Sequence, residues 1–191
     1  MTTKTPRMPP IPEGELTDAQ RKAIAEIVAG PRGALIGPFI PLVRSPEFMS
    51  RLQKAGEYLR YNSYFEPRLS ELAILITARH WTQNFEWYSH RPLAEKAGLK
   101  TAIIEAVAEG RRPTHMAADE AVVWDFLDEL IRLKTVSEAT YQRAKAAFGE
   151  RGIIDLVGIH GYYSLLAMVL NVTNAPVPEG AAPGLGPLPM P

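Results

Sequence analysis

The chain has 191 residues, 46% hydrophobic and 22% charged, and its 21 basic and 21 acidic side chains balance to zero formal charge. That length suits one domain with a real core. No cysteine occurs, which excludes a disulfide frame, a thiol nucleophile, a thiol redox couple, an Fe–S cluster and a thiolate zinc site. Zero net charge argues against a nucleic-acid partner, which would need an excess of Lys and Arg to replace phosphate counterions, and against a polybasic membrane anchor.

Both ends are rich in proline, which fixes φ and removes a donor, so neither reads as a regular helix or central strand. Residues 1–16 and 175–191 are expected as extended arms around a helical domain at 17–174. Met8, Ile11, Leu185, Leu188 and Met190 offer apolar contacts through which the arms could dock on a neighbour. Met1–Pro12 has no apolar run of the kind that marks a secretory signal, and a cytoplasmic location is expected.

Between the arms the pattern is helical. Thr17 and Gln20 form a capping box before Ile24, Ile27 and Val28, and Gly30-Pro31 ends that helix. Residues 31–46 read as a Gly/Pro-rich loop, apolar enough to cover something. Ser45-Pro46 opens a helix to Tyr61, and Pro67 opens another with Leu69, Leu72, Ala73 and Ile76 inward. Helices follow over 84–97, stopped by Gly98, then 101–108, 116–133, 137–148, stopped by Gly149, and 151–172. Trp124 and Phe126 look like packing. Asp155, His160 and Asn171 interrupt the last and most apolar helix, so it does not read as a membrane span, which needs about 20 largely apolar residues. It is richer in apolar residues than a small monomer needs, which suggests burial against another subunit. No strand, repeat or second domain is evident, and the fold class is all-α.

The unusual stretch is Glu71–Gly98. Glu86 and His90 are four apart, which on a helix puts both on one face with Trp87 beside them. A carboxylate beside an imidazole can fix its tautomer and raise its pKa, which suits proton transfer near neutral pH. The same spacing also describes an ordinary solvated i,i+4 pair. Glu71, amid Leu69, Leu72 and Ile74, is either solvent-facing or buried with a partner, and burial would prepare it as a proton donor or relay. His80, at a helix C-terminus, suits the last carbonyls. His115 and Asp119 have the spacing of a metal pair but no third ligand nearby, and no metal is expected. His160, Tyr162 and Tyr163 read as core residues with a hydrogen bond each, although Asn171 keeps a pocket role open.

The run Glu71…His80-Trp81…Phe85-Glu86-Trp87-Tyr88-Ser89-His90…Ala94…Ala97-Gly98-Leu99 resembles the carboxymuconolactone decarboxylase family. Gly37-Pro38-Phe39, Ser45-Pro46 and Arg68-Leu69-Ser70-Glu71 extend the likeness upstream, so that it covers residues 33–108. The resemblance implies a helical bundle of the alkylhydroperoxidase D-like type, assembled as a trimer or hexamer. It also implies cofactor-free proton chemistry on a small carboxylate-bearing lactone or enolisable acid. His90 would be the proton donor or base, Glu86 its partner acid and Glu71 the completion of a relay. Trp87, Gln83 and His80 would bind substrate, and Arg68, Arg79 or Arg91 could hold its carboxylate. The peroxidase branch carries two cysteines at the positions of Gln83 and Glu86, so this chain lacks its thiol chemistry. A non-catalytic binding oligomer of the same fold and a cysteine-independent hydroperoxide-handling relative are the alternatives.

Overall fold

Eight helices and one 3-10 turn, Glu13–Glu15, make up the computed structural model, which describes residues 5–177 and 184–187. No strand occurs among the described residues. Helix α1 (Asp18–Ala29) opens on the expected capping box: the Gln20 amide donates to the Thr17 hydroxyl at 3.3 Å, and the Thr17 amide to Gln20 Oε1 at 2.9 Å.

The segment expected to be loop at 31–46 holds a short helix, α2 (Phe39–Leu42). Its prolines concealed it, but Pro38 sits at the N-cap and Pro41 within the first turn, where the missing amide costs no hydrogen bond. Phe39, Leu42 and Val43 are buried, so the segment covers the core beneath it. Helices α3 (Pro46–Tyr61) and α4 (Pro67–His80) each begin on the expected proline.

Helix α4 is the axis of the fold. Every residue from Leu69 to Arg79 is buried, because α5 (Asn84–Lys96), α6 (Thr101–Ala108), α7 (Ala118–Leu133) and α8 (Glu138–Thr173) all pack on it. A helix so enclosed is mostly apolar all round, and its buried Ser70, Glu71, Thr77 and Arg79 are the exceptions. Leu72, Ile74 and Leu75 are at most 1% exposed, and full burial of each such side chain is worth about 1.5–3 kcal/mol. Helix α7 starts at Ala118 rather than Met116, because the Glu120 carboxylate accepts from the Ala117 amide at 2.7 Å and fixes the first turn there.

The last two expected helices form one element, α8, broken at Gly149 with φ 65° and ψ −179°. That backbone conformation is open essentially to glycine alone. Among the described residues only α8 is long and apolar enough to cross a membrane, with a mean hydropathy of 1.7 over 18 residues. More than half of that window is buried inside the fold (56%), as in a core helix.

Both arms touch their own chain where they are described. The Arg7 amide donates to Thr173 O at 2.8 Å and Arg44 to Pro9 O at 2.8 Å, which lays the first arm along α8 and α2. Leu185 is buried, and its amide donates to Asn84 Oδ1 at 2.6 Å at the start of α5. Leu188 and Met190 lie outside the described residues.

Candidate active site

Helices α4 and α5 pack side by side, and their facing surfaces bring the three expected acid–base residues together. Glu71 comes from the middle of α4, and Glu86 and His90 from successive turns of α5. All three are buried, at 6%, 3% and 4% exposure. Neither the solvent-facing reading of Glu71 nor the surface-pair reading of Glu86 and His90 holds. His90 Nδ1 lies 2.7 Å from Glu71 Oε2, and Nε2 lies 3.4 Å from Glu86 Oε2. With Glu71 ionised, Nδ1–H donates to it, which leaves Nε2 to take up or release a proton. The Tyr163 ring meets the imidazole edge to face, with centroids 5.0 Å apart.

Glu86 Oε1 is buried without a hydrogen-bond partner. Loss of water raises the Glu86 pKa, against the pull of His90, Arg60 and Arg32 and with a further push from Glu71. The shift widens the pH range over which this carboxyl keeps a proton, and a protonated carboxyl can donate. Burial raises Tyr163 well above the usual phenol range, and Tyr162 to about 12.

Glu86 and His90 form the floor of a cavity of about 440 Å³. Phe39, Phe85 and Leu166 supply apolar wall, Ser89 a hydroxyl, and Arg32 and Arg60 the positive charge. The wall depends on Gly37, whose φ of 56° suits glycine and where an added Cβ would overlap the Phe85 ring. Arg32 lies over the Phe39 ring at 4.7 Å and donates to the Tyr162 hydroxyl at 3.0 Å. Arg60 lies over the Tyr61 ring at 5.3 Å. Among the described residues neither arginine pairs with a carboxylate within 4.0 Å, so both charges are left for an anion in the cavity.

The arginines expected to hold a carboxylate are committed elsewhere. Arg68 is held by Glu66, Asp119 and Glu120, Arg91 by Glu95 and Glu105, and buried Arg79 donates to Ala108 O and Thr82 Oγ1. None of the three lines the cavity. Nor do the residues expected to bind substrate. Trp87 is packed in the core at 4% exposure, because the α5 face next to Glu86 turns inward. Gln83 caps α5 by accepting from the Phe85 amide and donates to Asn171 at 2.8 Å. His80, at the far end of α4, is exposed and rests against Trp81 and His160. His160 bonds Thr77 at 3.0 Å, and burial, with smaller effects of His80 and Lys134, lowers its pKa to about 4. Asp119 is paired with Arg68 and His115 is exposed, so these two make no cluster.

Sequence reasoning does not find Arg32 or Arg60, and it reads Tyr163 as core, whereas all three line the cavity. The cation–π placements need rings brought from other elements, so no local motif marks either arginine.

No protein-family model matches the sequence, and no curated protein matches it. A solved structure from Ralstonia eutropha JMP134, described as an alkylhydroperoxidase AhpD core and an uncharacterized peroxidase-related protein, superposes with a TM-score of 0.73. The two are 15% identical, and the match covers 92% of this chain and 94% of that one. The fold is that of the alkylhydroperoxidase AhpD core, all-α among the described residues.

Proposed function

We propose that this protein is a cofactor-independent acid–base enzyme of the carboxymuconolactone decarboxylase type, acting on a small carboxylate-bearing lactone or related enolisable acid. The observation that carries this reading is His90, held between two buried carboxylates on the floor of a cavity that also presents two guanidinium groups. Arg32 and Arg60 would hold the substrate carboxylate or the charge that develops as carbon loses CO₂. Loss of CO₂ leaves an electron pair on carbon, and the His90 Nε2 proton would neutralise it, one proton for each CO₂ released. Isomerisation would use the same nitrogen twice, taking a proton from one carbon and returning it to another. A protonated Glu86 would donate from its unpartnered Oε1 to an enolate oxygen. Water, the substrate and the protein's own side chains suffice for these steps.

The name of the structural neighbour raises a hydroperoxide reading. Gln83 and Glu86 stand where that chemistry places its thiols, so reduction of a hydroperoxide would require an external two-electron donor. We further propose that the protein works in the cytoplasm as a homo-oligomer, with a small molecule as its partner and neither nucleic acid nor membrane.

The test is a panel of small lactone acids and enolisable carboxylic acids, followed for CO₂ release and for deuterium incorporation from D₂O. Turnover should fall about 10²- to 10⁴-fold in His90→Ala, the usual range for loss of a general acid–base. Arg60→Leu should raise KM about tenfold with a smaller change in kcat. Full turnover in His90→Ala removes the proposed role. Binding across the panel with neither CO₂ release nor deuterium incorporation favours the non-catalytic oligomer.

A further inference from the structure

Glu71 also faces a second cavity, and this gives the relay two sides. A smaller cavity of about 350 Å³ is lined by Arg60, Tyr61, Ser70, Glu71, Leu93 and Lys96, with Pro67 and Ala97. Its rim residues Tyr61, Pro67 and Lys96 are exposed, whereas Ser70 and Glu71 at its floor are buried. The Glu71 side chain keeps 8% of its surface open there. Among the described residues only its Oε2 is bonded, to His90 Nδ1. Glu86 and His90 line the larger cavity and not the smaller, and Glu71 lines the smaller and not the larger. Arg60 and Tyr61, consecutive at the end of α3, line both and so form the partition between them.

We infer that the smaller cavity is a proton port: Glu71 exchanges the Nδ1 proton of His90 with solvent there while the larger cavity is occupied. His90 as imidazolium gives its Nδ1 hydrogen to Glu71 Oε2, the carboxyl releases one proton to water in the smaller cavity, and the ring keeps Nε2–H. Uptake by the reverse route restores the imidazolium. A ligand against Glu86 and His90 excludes water from Nε2, but it leaves Glu71, which holds Nδ1, in contact with the other side. Arg60, Tyr61 and Lys96 are the other ionisable groups on the port. The consequence for turnover rests on the acid–base reading of His90, whereas the exchange itself rests on the geometry alone.

The test is the solvent-exchange rate of the His90 Nδ1–H resonance in ¹⁵N-histidine-labelled protein. The four histidines of the chain make it assignable by its loss in His90→Gln. Ala97→Phe would fill the smaller cavity and Ser89→Phe the larger. Ala97→Phe should slow exchange about tenfold or more, and Ser89→Phe should leave it within about twofold of the parent. If Ala97→Phe does not fold, Leu93→Trp fills the same space and carries the same expectation. Exchange slowed by Ser89→Phe alone, slowed equally by both, or changed by neither overturns the port. A protein inert on every acid but exchanging through the smaller cavity loses the proposed activity and keeps the port. An active protein exchanging through the larger cavity does the reverse.

Discussion

Glu86 shows how a single residue position can set chemistry against stability. It is buried beside His90 with one oxygen unpartnered, and desolvation raises its pKa. The folded state therefore holds a proton that the unfolded chain has released at the same pH. Stability is full below the ordinary glutamate range and falls as pH rises through the raised value of the folded state. Glu86→Gln removes that slope. Denaturant titrations at several pH values should show the variant gaining on the parent on the alkaline side, by about 1.4 kcal/mol for each pH unit between the ordinary and the raised value, with no gain on the acid side. An identical pH dependence in both proteins would show that Glu86 is ionised equally in the folded and unfolded states. The residue scale is also where the sequence was least legible. The Glu86–His90 pair follows from helical spacing, but its burial does not, because an i,i+4 pair looks the same on either face of a helix. For Glu71 the pattern leaves a solvent-facing and a buried reading open, and the family resemblance selects the buried one. Arg32 and Arg60 have no sequence signal, since their place in the cavity arises only once α2, α3, α5 and α8 meet.

At the scale of the element the sequence is far easier to read. The Thr17 capping box, Pro46 and Pro67 at helix starts, and the glycines after α5 and α6 act through local backbone chemistry that tertiary packing leaves in place. Helix α2 was hidden because prolines usually mark loops, yet both of its prolines fall where a helix tolerates them. Pro92 is a second exception: it lies inside α5, on an exposed position, where Tyr88 O loses its amide donor but can turn to water. Gly149 stops one helix as its sequence position predicts, although the chain resumes a helix directly after it. Its φ of 65° with ψ of −179° makes a sharp prediction. Gly149→Ala should cost about 1–3 kcal/mol, a fall in Tm of about 2–4 °C for each kcal/mol in a chain of this size. An unchanged Tm would mean that the break relaxes into continuous helix.

For the whole molecule, the question is what covers α8. Ile154, Val157, Met168 and Val172 leave 69%, 42%, 42% and 61% of their surfaces exposed. Such a stripe is more apolar than a monomer in water usually keeps. Light scattering on the purified protein should give the mass of a trimer or hexamer, and Ile154→Lys should lower it without loss of helicity. A monomeric mass for the parent protein would remove the oligomer.

The amide of Leu185 is held by the side chain of Asn84, across 101 positions of chain. On a ribosome the first turn of α5 therefore emerges long before the segment that pairs with it. Helices α4 and α5 can meet early, because only a short connection separates them. The Asn84 carboxamide must stay with water until the last arm arrives, so the entrance to the site-bearing helix is finished late. Loops of that length close slowly. Folding begun in the middle of the chain would thus be completed at the helix that carries Glu86 and His90.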